Sequence, residues 1–126
     1  MWICYLLGSG GSTYVGVTKT LTQRIRQHNG EIKGGASATH RKKNWQLLCY
    51  VKGFENRSVV QKFETQVKRY RRKSGGRGGA IQGARAMWVN FNGCPKVQNY
   101  QFFFSPYFED IAPDLITELM AAMEPE

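Results

Sequence analysis

Short apolar runs separated by small polar residues dominate the first fifty residues. Residues 2–7 and 13–18 are rich in aromatic and β-branched side chains, and five glycines and serines separate them. This pattern predicts a β-hairpin, because glycine tolerates the positive φ angles of a tight turn. Alternation along each strand places Tyr5 on one face of the first and Tyr14 on one face of the second. We therefore predict that the two tyrosines share a face of the sheet.

A helix and a buried strand are predicted next. Thr20 and Gln23 have the spacing of a capping box, which opens a helix, and Asn29-Gly30 ends it. The residues that follow include a glycine-rich turn and a basic stretch. A nearly continuous apolar run at residues 45–51 then predicts a third strand that is buried on both faces.

A second helix is predicted after the third strand. Ser58 and Gln61 form another capping-box pattern, and an apolar stripe of valine, phenylalanine and tyrosine follows. The helix continues through a basic run that ends at Lys73. Residues 74–79 are a glycine-rich basic linker.

The C-terminal third gives weaker patterns. Residues 87–91 fit either a strand or a helix, and residues 100–104 predict a strand. Residues 110–123 predict an acidic amphipathic helix that Pro113 interrupts near its start.

Together these elements predict an α/β (α+β) fold. Its centre is a small, mainly antiparallel three-stranded sheet flanked by helices, with an appended C-terminal section of strand and helix. We predict a main domain at residues 1–85. Residues 86–126 are predicted to be an extension that packs on the same domain or forms a dimer contact.

Basic residues are concentrated in the first two thirds of the chain. Residues 1–85 carry 17 lysines and arginines against three glutamates, a net charge of +14, whereas residues 86–126 carry a net charge of −5. Such a basic region is expected of a protein that contacts a polyphosphate backbone. The alternative is a basic surface that only keeps the protein in solution. Because no long apolar run or basic amphipathic helix with a broad apolar face is present, we predict a nucleic-acid partner and no membrane.

The cysteines indicate a reducing compartment. Cys4, Cys49 and Cys94 are odd in number and far apart, so they predict neither a disulfide framework nor a zinc site. The apolar N-terminal segment has no charged leader and is interpreted as a strand. We therefore expect an intracellular protein, cytoplasmic, nuclear or encoded by a virus or phage, that is not secreted.

Several side chains could serve phosphodiester hydrolysis, which needs proton transfer, charge neutralisation and a fixed backbone. The planar guanidinium of Arg24 suits phosphate oxygens. Glu64 could be the single protein carboxylate that Mg²⁺ often uses together with water and substrate. Tyr5, Tyr14 and His28 could move protons.

Each of these residues also has a purely structural interpretation. Hairpin tyrosines usually belong to the core, Arg24 could be a solvated helix side chain, and His28 could cap the helix end. Glu64 stands four residues before Lys68 and could form a helical ion pair with it. The residues by themselves therefore predict only a basic α/β domain that binds nucleic acid.

The spacing of these residues resembles the GIY-YIG nuclease family. The resemblance rests on Ile3-Cys4-Tyr5, Tyr14-Val15-Gly16, Arg24, His28 and Glu64, with Ile3 and Cys4 in place of the first two residues of the family's first triplet. Within the family the chain resembles the nuclease subunit of the eukaryotic Slx structure-specific endonuclease over about residues 2–70. This closer match adds Gln27-His28-Asn29-Gly30, Gly34-Gly35-Ala36, Thr39, Trp45, Val51, Gly53-Phe54 and Phe63.

The resemblance implies roles for the candidate residues. Tyr5 and Tyr14 would line the site, and one of them would help to take a proton from the attacking water. Arg24 would stabilise charge on the scissile phosphate, and His28 would assist positioning or proton transfer. Glu64 would hold one Mg²⁺ or Mn²⁺ ion; no other cofactor is implied. A further asparagine of the family has three candidates here, which are Asn90, Asn92 and Asn99.

Basic residues around this site are predicted to contact DNA. They lie in the stretch before the third strand, at the end of the second helix and in the glycine-rich linker. These residues are Arg41, Lys42, Lys43, Lys68, Arg69, Arg71, Arg72, Lys73 and Arg77.

The resemblance implies a metal-dependent endonuclease for branched DNA, meaning flaps, forks and Holliday junctions. Two alternatives stay open: a sequence-specific endonuclease of the same family, and a nucleic-acid-binding domain without catalysis. We expect a version of the family without its C-terminal zinc domain, which makes a scaffold protein partner doubtful. A homodimer through the apolar segment 102–104 is a further expectation.

Overall fold

A computed structural model of the protein describes residues 1–35, 44–73 and 79–122. It contains four strands, which are β1 (Trp2–Ser9), β2 (Ser12–Thr18), β3 (Gln46–Phe54) and β4 (Gln101–Phe104). Its helices are α1 (Leu21–His28), α2 (Arg57–Lys73), α3 (Ala80–Asn92), α4 (Pro106–Ile111) and α5 (Pro113–Ala122). A single 3₁₀ turn at Lys96–Gln98 precedes β4. None of the helices in these ranges has the length and apolar character needed to cross a lipid bilayer.

The strands form one antiparallel sheet in the order β2-β1-β3-β4. The predicted antiparallel sheet flanked by helices is therefore confirmed. The sheet has four strands where the sequence predicted three at its centre, because the C-terminal strand β4 pairs with β3. Phe102 and Phe104 of β4 lie opposite Val51 and Cys49. These phenylalanines pack against Trp88 of α3, which attaches the C-terminal section to the sheet.

Helices cover the two faces of the sheet unequally. One face carries the main core, in which side chains of β1 and β3 pack against α2 and α3, together with Phe108 of α4 and Leu119 of α5. The opposite face carries a smaller cluster of Tyr5, Leu7 and Trp45, against which side chains of α1 pack. The strand alternation that separates Tyr5 from its neighbour Cys4 decides which of the two clusters each residue joins.

Two of the predicted helix caps are wrong. Thr20 occupies the N-cap position of α1 but makes no side-chain cap hydrogen bond. Its backbone N–H instead donates to the hydroxyl of Thr18 at 3.0 Å. Helix α2 is capped by Asn56, whose Oδ1 accepts from the Val59 N–H at 3.0 Å, and Ser58 only adds a hydroxyl hydrogen bond to the same oxygen. Asparagine is a better N-cap than the first-turn serine, which is already helical.

The C-terminal section differs in part from the sequence prediction. Residues 87–91, which fitted either element, belong to the helix α3. The predicted helix at 110–123 is divided: Pro113 begins α5, and the unpredicted helix α4 precedes it. Ser105 caps α4, since its hydroxyl accepts from the Phe108 N–H at 3.0 Å and donates to the Leu47 carbonyl at 2.5 Å.

The predicted boundary between residues 85 and 86 falls inside α3. Residues on both sides of this boundary, Ala84, Ala86 and Met87, belong to the one main core.

Candidate active site

A buried tyrosine–histidine pair lies under α1. Tyr5 comes from β1 and His28 from the last turn of α1, and both side chains are buried. The Tyr5 hydroxyl is 2.7 Å from Nε2 of His28. Tyr5 lies directly opposite Gly16 of β2. A Cβ at position 16 would be 2.5 Å from the Tyr5 hydroxyl oxygen, so only glycine leaves space for this hydrogen bond.

Tyr14 completes an aromatic cluster with this pair. Its ring centroid is 4.7 Å from that of His28 and 6.3 Å from that of Tyr5. The two tyrosines therefore lie on one face of the sheet, as the strand alternation predicted. Tyr14 is more exposed than Tyr5 and belongs to the edge strand β2. It is thus the member of the cluster that a ligand at the sheet edge meets first.

Both members of the buried pair are neutral at pH 7. Burial and, to a smaller extent, the charge of Arg24 together lower the pKa of His28 from 6.5 to about 4. Burial also raises the pKa of Tyr5 above its usual value, and the Arg24 guanidinium beside it opposes part of that shift. A neutral phenol next to a neutral imidazole can donate to the ring, or accept from it once the ring is protonated.

Two acceptors hold the guanidinium of Arg24 in place. Nη1 donates to Oε1 of Gln27 at 2.9 Å and to the carbonyl of Gly34 at 2.6 Å. The backbone of Gly34 has a φ of 111°, which favours glycine, and a side chain at Gly35 would collide with the Gln27 carbonyl. The glycine-rich turn can therefore approach α1 closely enough to orient the arginine.

Gln27 and the Gly34 carbonyl had no predicted role. Both lie in segments that carried the family resemblance, and this was the available signal for them. What the spacing could not indicate is that a backbone oxygen ten residues away binds Arg24, since that contact depends on the turn geometry.

The comparison with protein families matches this geometry. Residues 1–77 match the model of the GIY-YIG catalytic domain. This match covers more than half of the chain and includes every residue of the cluster. The chain belongs to the GIY-YIG family.

Several relatives of this GIY-YIG domain are named as subunits of structure-specific endonucleases. The subunit slx1 of Schizosaccharomyces japonicus is 45% identical over 67 residues, which is 50% of this chain and 24% of the relative. That of Schizosaccharomyces pombe is 46% identical over 68 residues, 50% of this chain and 25% of the relative. SLX1 homolog 1 of Trypanosoma cruzi is 46% identical over 66 residues, 48% of this chain and 12% of the relative. The matched region thus spans a quarter or less of these relatives.

Asn29 joins the first helix of the GIY-YIG domain to the third strand. Its side-chain amide donates to the Trp45 carbonyl at 3.1 Å and accepts from the Trp45 N–H at 2.6 Å. Trp45 itself is buried against the tyrosine cluster. This double hydrogen bond holds the last turn of α1, and with it His28, against the sheet.

Glu64 lies on α2, whose buried side packs on the opposite face of the sheet from Tyr5. Its carboxylate is mostly buried and is 3.6 Å from Nζ of Lys68. The charge of Glu64 contributes to the raised pKa of the buried Cys4 thiol, after burial itself, so Glu64 lies near β1. The structure therefore places Glu64 apart from the four clustered residues, on the other side of the sheet.

The free edge of β2 lies between these two groups. Arg71 of α2 donates to the Thr13 hydroxyl at the start of β2 at 2.9 Å. Glu64 is seven residues earlier, or about 10 Å along the helix axis at the α-helical rise. Helix α2 therefore lies on the sheet face opposite Tyr14, with its C-terminal end at the start of β2.

The residues predicted to contact DNA differ in their surroundings. Lys68 pairs with Glu64 and half-buried Arg71 binds Thr13, so each has an intramolecular contact. Arg69, Arg72 and Lys73 are exposed on α2. The remaining four, Arg41, Lys42, Lys43 and Arg77, lie outside the described residues.

The three candidate asparagines have local roles. Asn90 and Asn92 each donate to the backbone carbonyl four residues earlier in α3, at 2.8 Å. Asn99 adopts a left-handed conformation with a φ of 57° just before β4. None of these contacts selects one of the three for the site.

The three cysteines are free thiols. Burial raises the pKa of Cys4, Cys49 and Cys94. A thiol with a raised pKa is protonated at neutral pH and is a poor nucleophile and metal ligand.

Proposed function

We propose that this GIY-YIG domain is a structure-specific DNA endonuclease that hydrolyses phosphodiester bonds at flaps, forks and four-way junctions. The observation that carries the proposal is the cluster of Tyr5, Tyr14, Arg24 and His28 in one GIY-YIG fold. The names of the relatives support the choice of branched DNA, and the net charge of +14 over residues 1–85 supports a nucleic-acid substrate.

The division of work between the tyrosines follows from their burial. Tyr5 is fully buried and bound to His28, so its role is to fix the imidazole. Tyr14 is accessible at the sheet edge and orients the attacking water. His28 is neutral at pH 7 and takes up the proton, after which the Tyr5 hydroxyl accepts a hydrogen bond from the protonated ring.

Arg24 is the group that binds the scissile phosphate. Nη1 of Arg24 donates two hydrogen bonds, which fix the plane of the guanidinium. This orientation sets the direction in which its other N–H groups can bind a phosphate. A pre-oriented cation stabilises the charge that develops on the phosphate without reorganisation during the reaction.

Glu64 would hold a divalent cation, with water and DNA phosphate as the other expected ligands. Among the residues in the three described ranges, no three His, Cys, Asp or Glu side chains converge on a possible metal site. Mg²⁺ commonly binds through one or two carboxylates with water and substrate phosphate, and a single Glu64 meets that pattern. When bound, Mg²⁺ or Mn²⁺ would neutralise charge on the phosphate and the leaving oxygen. Lys68 competes for the same carboxylate.

A cleavage assay tests the proposal. The protein is incubated with Mg²⁺ and labelled linear duplex, flap and four-way-junction DNA of identical sequence. We expect cutting of the branched substrates only. Glu64→Gln and Arg24→Ala should each lower the cleavage rate by about 100-fold or more. Glu55→Gln, which neutralises an exposed acid just before α2, is the matched control and should cut like the wild type.

Three results would contradict parts of this proposal. Cutting at one sequence in linear duplex would support the sequence-specific alternative. Binding of branched DNA without cutting at any Mg²⁺ or Mn²⁺ concentration would support a non-catalytic domain. Unchanged cutting by Arg24→Ala would refute the site while leaving the activity intact.

The homodimer stays a prediction for this chain, whereas the sequence made a scaffold protein partner doubtful. The relatives are named as subunits, which favours an assembly. Sedimentation of the protein alone and with a four-way junction distinguishes a monomer from a dimer on DNA.

A further inference from the structure

A second aromatic group lies on the same sheet face as the candidate active site. Tyr50 of β3 is the cross-strand partner of Tyr5 on one side and of Phe103 on the other. Directly paired residues in an antiparallel sheet point to the same face. Tyr50 also packs against the cluster of Tyr5, Leu7 and Trp45. The face therefore continues from the catalytic cluster through Tyr50 to Phe103 on the edge strand β4.

The two rings stack on each other and are partly accessible. Their centroids are 5.1 Å apart and their planes differ by 22°, so they are stacked. Both side chains are half-buried. By contrast, Phe102 and Phe104, which flank Phe103 on the same strand, pack on the other face against Trp88. Phe103 is thus the one phenylalanine of β4 that does not pack against the main core.

A lysine accompanies the rings. Nζ of Lys52 is 5.0 Å from the ring centroid of Phe103, and its side chain is exposed. Lys52 is two residues from Tyr50 and shares its face. An exposed cation beside stacked aromatic rings is the combination that binds a nucleotide, because the ring stacks on the base while the cation attracts the phosphate.

We propose that Tyr50, Phe103 and Lys52 form a stacking platform for an unpaired base about three nucleotides from the scissile phosphate. The platform is part of the proposed endonuclease function, and the proposal of branched DNA as its ligand rests on that function. Strand spacing puts β4 about 10 Å from β1, a distance of roughly three base steps in a stacked strand.

This platform would explain how the protein selects branched DNA without recognising a particular base sequence. In an intact duplex the bases are stacked on each other, whereas a branch point has bases that are free to unstack. Every base has a face that can stack on an aromatic ring, so the contact tolerates any sequence. Branched DNA would therefore gain a contact here that linear duplex lacks.

Binding measurements test the platform separately from cleavage. Affinities for a flap and for a linear duplex are measured in EDTA, so that no cutting occurs, at one fixed salt concentration. Phe103→Leu and Tyr50→Leu keep an apolar side chain but remove the aromatic ring. We expect each to weaken flap binding about tenfold, as expected for the loss of one stacked base, and to change duplex binding less than about twofold.

Three further variants complete the test. Phe103→Trp restores a ring and should recover flap binding, which separates stacking from any loss of folding. Tyr107→Leu removes an aromatic ring that is 43% exposed on α4 and should bind both DNAs like the wild type. Lys52→Gln should weaken binding of both DNAs and lower the salt slope by about one.

A fluorescent base locates the contact. With 2-aminopurine at the first, second or third unpaired position beside the branch, the wild type should quench one of the three positions and Phe103→Leu none. Equal flap binding and quenching by wild type and Phe103→Leu would overturn the platform, even if the protein cuts branched DNA. Ring-dependent flap binding without any cutting in Mg²⁺ would support the platform and refute the proposed nuclease.

Discussion

At the scale of single residues, the candidate site depends on side chains that burial keeps neutral. His28 and Tyr5 share one hydrogen bond in a region with little solvent, and the nearby Arg24 charge disfavours a second positive charge on the imidazole. The same burial that keeps His28 neutral therefore makes its protonation costly for the fold.

The stability of the protein should decrease as the pH falls and His28 becomes protonated. Its pKa is about 4 in the folded protein and about 6.5 in the unfolded chain, so the unfolded chain binds more protons between these values. Stability from this group is complete above pH 6.5 and decreases as the pH falls toward 4, by about 3 kcal/mol in total. Urea unfolding of wild type and His28→Gln at pH 7, 5.5 and 4.5 measures the difference. Parallel pH dependences of the two proteins would contradict this prediction.

Gly16 tests the space around the same pair. A methyl group at this position would lie 2.5 Å from the Tyr5 hydroxyl and 2.9 Å from the Tyr14 ring. We expect Gly16→Ala to destabilise the fold by about 2 kcal/mol, as overpacking does, and to separate Tyr5 from His28. In Gly11→Ala, where a Cβ meets no atom within 4 Å, stability should be nearly unchanged. Thermal denaturation of both variants makes the comparison, and equal midpoints would refute it.

At the scale of elements, the position of α1 and α2 on the sheet decides the site. Asn29 binds the backbone of Trp45 and so fixes the end of α1, which carries His28. Arg71 binds Thr13 and so fixes the end of α2 beside β2. Each helix is thus tied to the sheet by a polar side chain near its C-terminal end, and these two contacts help to position the candidate site residues on α1 and α2.

The start of α2 gives a direct test of its assigned cap. Asn56 accepts the hydrogen bond from the Val59 N–H, whereas Ser58 contributes only a hydroxyl contact. Asn56→Ala should therefore lower the free energy of unfolding by about 1 kcal/mol. Ser58→Ala should change it by a few tenths of that amount. If Ser58→Ala proves the more destabilising in urea unfolding, the capping box predicted from the sequence would be right and the structure's cap wrong.

At the scale of the whole molecule, the family match and the folded unit have different limits. The match ends at residue 77, but α3, β4, α4 and α5 supply much of the packing against the sheet. Phe108 and Leu119 are buried in the same core as Leu6 and Val60. The C-terminal section therefore supports the sheet face opposite the site.

Substitution of Phe108 tests how far the C-terminal section stabilises the sheet. Its side chain is fully buried and stacks on Phe104, so Phe108→Ala removes core volume. We expect a loss of about 3 to 4 kcal/mol in the free energy of unfolding, as for other buried phenylalanines. Tyr107→Ala, at the exposed neighbouring position, should cost much less. A Phe108→Ala protein as stable as Tyr107→Ala would show that the C-terminal section is dispensable for the fold.

The local elements and the basic charge follow from the amino-acid sequence alone. The hairpin, both long helices of the first half and the shared face of Tyr5 and Tyr14 follow from apolar spacing and turn residues, which act over a few residues. The cap of α2 was mispredicted because Ser58-Gln61 and Asn56 offer similar local signals, and only the hydrogen-bond geometry separates them.

The contacts between segments that are far apart in the chain could be found only from the folded structure. The pairing of β4 with β3 depends on Phe102 and Phe104 finding the α3 surface, and the Tyr50–Phe103 stack follows from that pairing. Likewise, the Gly34 carbonyl reaches Arg24 through a turn that no spacing rule describes. Glu64 was identified by its spacing, but its position on the sheet face opposite the tyrosine cluster follows from the packing of α2. Contacts between residues far apart in the chain depend on which faces of the elements pack together, and that is a property of the assembled fold.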